Sequence, residues 1–256
     1  MDLPINTFKK RLLAGESLLG LWATIGDTSA VEALAGTGFD WVVLDTEHSP
    51  IEVSTVQGLL QAAAPYPTHC VVRPYINDTT LIKRHLDQGA QTLLLPYIES
   101  RAEAEAAVAA TRYGPEGVRG VATTTRAGGY GRIEGYTAKA NAEICVMLQV
   151  ETARAMEQLE DIATVPGVDA IFIGPADLAA SMGHPGETNH PDVRRAIFDA
   201  IDRLRALGKP IGIMATDPDF ARRCLEAGTT FTAVGIDMQM LVRAADDLAR
   251  AFGRAD

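Results

Sequence analysis

Eight short apolar runs, each followed by a helical pattern, constrain this chain more than any other feature. They read "LGLWATI" (19–25), "DWVVLD" (40–45), "CVVRP" (70–74), "QTLLLP" (91–96), "ICVMLQVE" (144–151), "DAIFIG" (169–174), "IGIMA" (211–215) and "FTAVG" (231–235). Amphipathic stretches lie between them, at 52–64, 78–88, 100–111, 152–162, 191–207 and 217–227. Continuous apolar runs, rather than alternating ones, are what parallel strands covered on both faces require. In "AGTGFD", "DQGAQ", "ALGKP" and "EAGTT" a glycine stands just before the next strand, as a helix C-terminus favours. Eight β/α units in 256 residues predict one TIM (β/α)8 barrel spanning residues 1–256. A doubly wound sheet is the structural alternative, but it often opens on a Gly-rich first turn that this sequence lacks.

Charge and cysteine usage narrow the class of partner. The net charge of −10 disfavours phosphate backbones and anionic lipid, so neither nucleic acid nor membrane is expected as a partner. The first residues lack the long apolar core of a signal peptide and suggest a short amphipathic helix around Phe8 to Leu13; no run is long enough to span a bilayer. Cys70, Cys145 and Cys224 lie far apart without metal or redox spacing, which fits inert thiols in a reducing cytoplasm.

In a TIM barrel, chemistry sits at the C-terminal ends of the strands. Those ends carry Trp22; Asp45 with Glu47 and His48; Arg73; Pro96; Gln149 with Glu151; Asp177, just beyond "FIGP"; and Met214. Glu151 and Asp177, from neighbouring strand ends with Gln149 close by, make an all-oxygen donor set suited to Mg²⁺, Mn²⁺ or Co²⁺. Their structural alternative is an N-cap for Asp177 and a first-turn dipole partner for Glu151. Arg73 offers a permanent charge and five donors for a carboxylate or a developing enolate oxygen; the alternative is an ion pair with Asp45 or Glu47. His48 is the one histidine of five just beyond a strand end, a position that suits a general base, with Asp45 as its nearest partner in sequence.

Absences matter as well. None of the five lysines ends a strand, so a Schiff-base aldolase is disfavoured. The loops after strands seven and eight, "ATDPD" and "GIDMQ", are acidic and lack a phosphate cradle. The long segment 112–135, with "TTTRAGGYGR", is expected to be functional or mobile.

Taken together, "GFDWVVLDTEH", "VVRP", "QTLLLP", "TRYGPEGVRGV", "QVET", "VDAIFIGPADLAASMG" and "AVGIDMQML" resemble the 4-hydroxy-2-oxoheptanedioate aldolases. These are class II, metal-dependent pyruvate aldolases of the HpcH/HpaI aldolase/citrate lyase superfamily. The resemblance runs from about Phe8 to Phe252 with order and spacing kept. It implies Glu151 and Asp177 as ligands of a divalent metal, His48 as general base and Arg73 as stabiliser of a pyruvate enolate. It implies substrate binding at Gln149 and at the backbone N–H of Ala176, with Trp22 and Met214 as further wall positions read from the strand ends. It pairs the histidine with Asp87 rather than Asp45, and both remain candidates. It also implies a homo-oligomer, typically a hexamer, with active sites near subunit contacts.

The expected activity is reversible cleavage of a 4-hydroxy-2-oxo acid, either heptanedioate-like or a 2-keto-3-deoxy sugar acid, to pyruvate and an aldehyde. The alternatives are a malyl- or citramalyl-thioester lyase on the same barrel, or a catalytically inactive barrel that binds 2-oxo acids.

Overall fold

The computed structural model describes residues 1–254, a closed barrel of eight parallel strands in sequential order. The strands are β1 (Leu18–Ala23), β2 (Trp41–Asp45), β3 (His69–Arg73), β4 (Thr92–Leu95), β5 (Cys145–Val150), β6 (Ala170–Ile173), β7 (Ile211–Met214) and β8 (Phe231–Ile236). The helices in chain order are α1 (Thr7–Leu13), α2 (Thr28–Ala35), α3 (Val53–Ala63), α4 (Thr79–Asp87), α5 (Arg101–Thr111), α6 (Tyr136–Glu143), α7 (Ala153–Glu157), α8 (Leu159–Ala163), α9 (Pro175–Ser181), α10 (Pro191–Ala206), α11 (Pro218–Ala227) and α12 (Asp237–Ala251). All eight expected strands are present. The expected helix over 152–162 is two short pieces, α7 and α8, which meet at Gln158.

Side chains alternate across each strand, so one sequence feeds two cores. Val42 and Leu44 of β2 face the helices, as do Val146, Leu148 and Val150 of β5. Trp41 and Val43, with Cys145 and Met147, face inward. The inner core is closed at the N-terminal end by Phe8 and Leu12 of α1, so the amphipathic helix expected there plugs the barrel. Gly20 and Gly212 lie on inward positions where a Cβ would strike the rings of Trp41 and Phe231. Small residues on two strands thus make room for large ones on others, which fills the lumen without a pore.

Caps fix where the helices start and stop. Asp78 accepts from the N–H groups of Thr80 and Leu81 and so starts α4, and Asp217 does the same for α11 through Phe220 N–H. Gly228 ends α11 at φ 114°, a conformation that strains other residues. The β8–β1 seam is held by buried Asp237, whose carboxylate accepts from Thr24 N–H, Thr24 O–H and Ile25 N–H at 2.7–3.0 Å. A carboxylate of the chain itself therefore occupies those donors.

Candidate active site

The strand period decides which side chains reach the C-terminal mouth. Counting by twos, Trp41 and Val43 lead to Asp45, Val71 leads to Arg73, and Cys145 and Met147 lead to Gln149 and Glu151. The apolar lumen thus continues upward into polar groups. Above it lies a cavity of about 520 Å³ lined by Trp22, Asp45, His48, Arg73, Gln149 and Glu151 on one side. Ala176, Asp177 and Met214 line it as well, so every expected site residue except Asp87 meets there. A larger cavity, about 690 Å³, opens at the N-terminal end against residues 1–4, Arg126 and Arg132, away from this carboxylate cluster.

Arg73 is the hub of the wall. Its Nε and Nη2 donate to the two oxygens of Asp45 at 2.9 and 2.7 Å, and the guanidinium lies 5.0 Å from the Trp22 ring centre. Nη1 stands 2.7 Å from Glu47 Oε2 but outside hydrogen-bonding directions, which leaves that oxygen buried without a donor. The ion pairs weighed as the alternative for Arg73 are therefore both present. Burial pushes the Asp45 carboxyl up, but the hydrogen bonds and charge of Arg73, the Glu47 N–H and the Trp22 indole outweigh it and hold Asp45 below its ordinary value.

Asp45 is consequently unavailable to the His48 imidazole, in contrast to the pairing expected from sequence proximity. Its oxygens are occupied by Arg73, Trp22 Nε1 at 3.1 Å and Glu47 N–H at 3.0 Å, and it meets only the backbone N–H of His48 at 3.4 Å. Asp87, the other candidate, ends α4 at the opposite rim, where it accepts from buried Arg119 Nη2 at 2.9 Å. Within one chain neither aspartate reaches the exposed imidazole. Segment 112–135 is also at that far rim: it follows α5 into β5, and Arg126 Nη1 ties it to Gln88 O at 2.7 Å. In its own chain it does not line the active-site cavity, because it is a helix-to-strand connection.

Opposite Arg73 stand the acidic groups. Gln149 Nε2 donates to Glu151 Oε2, and Tyr97 N–H donates to Glu151 Oε1 at 2.9 Å. Tyr97 holds φ 53°, a left-handed conformation uncommon for a side chain of this size, and its hydroxyl donates to Asp177 Oδ1 at 3.0 Å. One residue therefore bridges both carboxylates. Asp177 lies in the first turn of α9, whose N-cap is Gly174, so it is not the cap. A Cβ on Gly174 would strike Glu151 Oε2 and come within 3.1 Å of Gln149 Nε2, so the glycine lets backbone crowd the carboxylate.

The electrostatics of this group suit a bound cation. Burial raises the Glu151 carboxyl to about 7, against hydrogen bonds from Gln149 and Tyr97, and the Glu47 and Asp177 charges raise it further. Burial also lifts Glu47 to about 7, opposed by Arg73 and aided by Asp45 and Asp177. Among the described residues nothing donates to buried Gln149 Oε1. Converging oxygens that repel one another, with orphaned acceptors beside them, are chemically matched to a hard divalent ion. Glu151 and Asp177 are the carboxylates that could hold such an ion.

Sequence reasoning missed Tyr97, Thr188, Asn189, Arg194 and Phe220 as wall or bridging residues. Tyr97 sits one residue past "QTLLLP", and its odd register carried no period-two signal. The others come from the α9–α10 loop and from α10 and α11, where nothing local marks them.

Residues 18–244 match the HpcH/HpaI aldolase/citrate lyase family. The chain is 56% identical over 252 residues to a pyruvate aldolase of Rhizobium etli, covering 98% of this chain and 99% of the relative. It is 49% identical over 249 residues to a 4-hydroxy-2-oxo-heptane-1,7-dioate aldolase of Escherichia coli, covering 97% and 95%. Among solved structures, a family protein from Burkholderia cenocepacia J2315 superposes with a TM-score of 0.94 at 42% identity, covering 96% and 99%. The barrel, its mouth chemistry and these likenesses agree: this chain is an enzyme of carbon–carbon bond cleavage and belongs to the HpcH/HpaI aldolase/citrate lyase family.

Proposed function

We propose that the chain is a class II pyruvate aldolase that reversibly cleaves a 4-hydroxy-2-oxo acid, with Glu151 and Asp177 holding a divalent metal, Mg²⁺, Mn²⁺ or Co²⁺. The observation that carries this reading is a cavity in which two bridged carboxylates face a buried arginine and no lysine lines the wall. Without an amine there is no iminium route, and the aldolase names of close relatives agree with aldol cleavage rather than with the thioester-lyase alternative.

The ion would supply Lewis acidity toward the 2-oxo acid. Gln149 and the Ala176 N–H, which lies in the first turn of α9 without a helical acceptor, bind and orient the substrate's carboxylate end. Trp22 and Met214 wall the cavity and limit water. In cleavage the 4-hydroxyl loses its proton and the C3–C4 bond breaks. The aldehyde departs, and the electron pair remains with the pyruvate fragment. Arg73, held rigid by Asp45, faces the oxygen where negative charge grows. His48 moves the proton; in the synthetic direction it assists removal of one from the pyruvate methyl group.

Asp87 and His48 lie at opposite rims of one barrel, so the pairing expected from the family requires a second copy. This supports a homo-oligomer, a hexamer by resemblance. Free thiols, with burial pushing Cys70 to about 12, favour a reducing cytoplasm. No helix among the described residues is long and apolar enough to cross a membrane.

The test is pyruvate release from a panel of 4-hydroxy-2-oxo acids after exhaustive chelation. Activity should vanish and return with Mg²⁺, Mn²⁺ or Co²⁺, and borohydride with pyruvate should leave every lysine unlabelled. Full turnover in the chelated enzyme, or a pyruvyl adduct on a lysine, would overturn the reading.

A further inference from the structure

Among the described residues, one group of three His, Cys, Asp or Glu side chains brings its ligand atoms within 4.8 Å of one another, and it is not in the cavity floor. It consists of His184 in the loop from α9 into α10, His190 at the N-cap of α10 and Asp192 in its first turn, all half-buried. The two imidazoles stack with centres 3.5 Å apart and planes 15° from parallel. Backbone bonds hold them there: His184 N–H donates to Ala179 O at 2.8 Å, Glu187 N–H to His184 O at 3.0 Å and His190 N–H to Glu187 O at 2.9 Å.

We propose that His184, His190 and Asp192 form a second cation site, for a borderline transition ion of the Zn²⁺ class. Two imidazoles and a carboxylate select such an ion over Mg²⁺, which prefers the all-oxygen pair below. Three protein ligands and a water make a four-coordinate shell. Ligand distances of about 2.0–2.2 Å place tetrahedral donors roughly 3.4 Å apart. His190 Nδ1 and Asp192 Oδ2 are 3.9 Å apart, and because a ring nitrogen binds in its own plane, one imidazole turns out of the stack to bring both lone pairs onto one ion. Asp192 Oδ1 is steadied by Arg195 Nη2 at 2.7 Å, which leaves Oδ2 for the ion. The bond that an ion on Nδ1 would displace is the long helix cap from Asp192 N–H, at 3.3 Å. Thr188 and Asn189, between the two histidines, line the cavity, so an ion here fixes part of the active-site wall.

The decisive experiment is calorimetric titration with Zn²⁺ of chelator-stripped protein saturated with Mg²⁺. Wild type should take up one equivalent per chain and gain thermal stability. Glu151→Gln should still take it up, which separates this site from the metal proposed for catalysis. His184→Ala should weaken uptake at least tenfold, the scale on which even outer-shell changes act, while keeping Mg²⁺-supported turnover and the wild-type circular dichroism spectrum. Asp192→Asn, which leaves both rings in place, should weaken uptake too and serves if the His184 variant misfolds. No saturable Zn²⁺ uptake by wild type, or unchanged uptake by both variants, overturns the site.

Discussion

The two ends of the barrel lumen are built from the same inward strand positions and filled with opposite chemistry. Toward the N-terminal end, Trp41 and Phe231 pack edge-on at 6.1 Å, and Phe8 comes in from α1 to complete the cluster. Toward the C-terminal end, Asp45, Arg73, Gln149 and Glu151 are also buried but are tied together by ion pairs and hydrogen bonds. The difference teaches how such a site is tolerated. Buried charges destabilise a fold unless paired and hydrogen-bonded, and here the apolar layer beneath supplies stability while the charged layer holds a geometry. The N-terminal end should respond to substitution in stability, the C-terminal end in rate.

His48→Ala tests the rate side with the largest expected effect. Loss of a positioned base removes roughly 100- to 10,000-fold of proton transfer, so deuterium exchange into the pyruvate methyl group, followed by NMR, should nearly stop while the melting temperature holds. Wild-type exchange in this variant would move the base elsewhere. Trp41→Ala tests the other end: emptying this site should destabilise by about 3–5 kcal/mol in urea unfolding, and a loss below about 1 kcal/mol would mean that the lumen collapses onto the gap.

Arg73→Lys blurs the division and so sharpens it. Lysine keeps the charge but cannot form the fork to Asp45, and turnover should fall about 100- to 1000-fold. Near-normal turnover would make the Arg73–Asp45 pair purely structural. The smallest effect comes from His85, buried in α4, where among the described residues neither ring nitrogen makes a well-formed hydrogen bond. Burial, with the Arg84 charge, pulls its imidazole down to about 4 from the ordinary 6.5. The folded state therefore binds fewer protons between those values. Stability is fully present above about pH 6.5 and is lost as pH falls toward 4, by on the order of 3 kcal/mol in all. Unfolding free energies at pH 7 and 5 for wild type and His85→Leu should reveal this as a shallower slope in the variant. Equal slopes would assign the acid sensitivity to other groups.

The sequence by itself determined the barrel. Apolar runs that cannot face water, helices between them and glycine at their ends leave few other solutions, and the period of two along "VVLD", "VVR" and "VMLQVE" already aimed Asp45, Arg73, Gln149 and Glu151 at one mouth. Their proximity was legible because strand order and alternation are local properties propagated by regular hydrogen bonding. What only the tertiary structure decided is which partner each group takes. Asp45 turns to Arg73 and Trp22 instead of to the nearby imidazole, because a bidentate guanidinium at the adjacent strand end competes better than a loop side chain. Tyr97 joins Glu151 to Asp177, residues 54 and 80 positions away in the chain. Asp87 and the 112–135 segment belong to the far rim, since a helix running antiparallel to its strands carries its C-terminal end back to where the strands begin. Contacts between elements depend on three-dimensional packing, and one-dimensional spacing does not encode them.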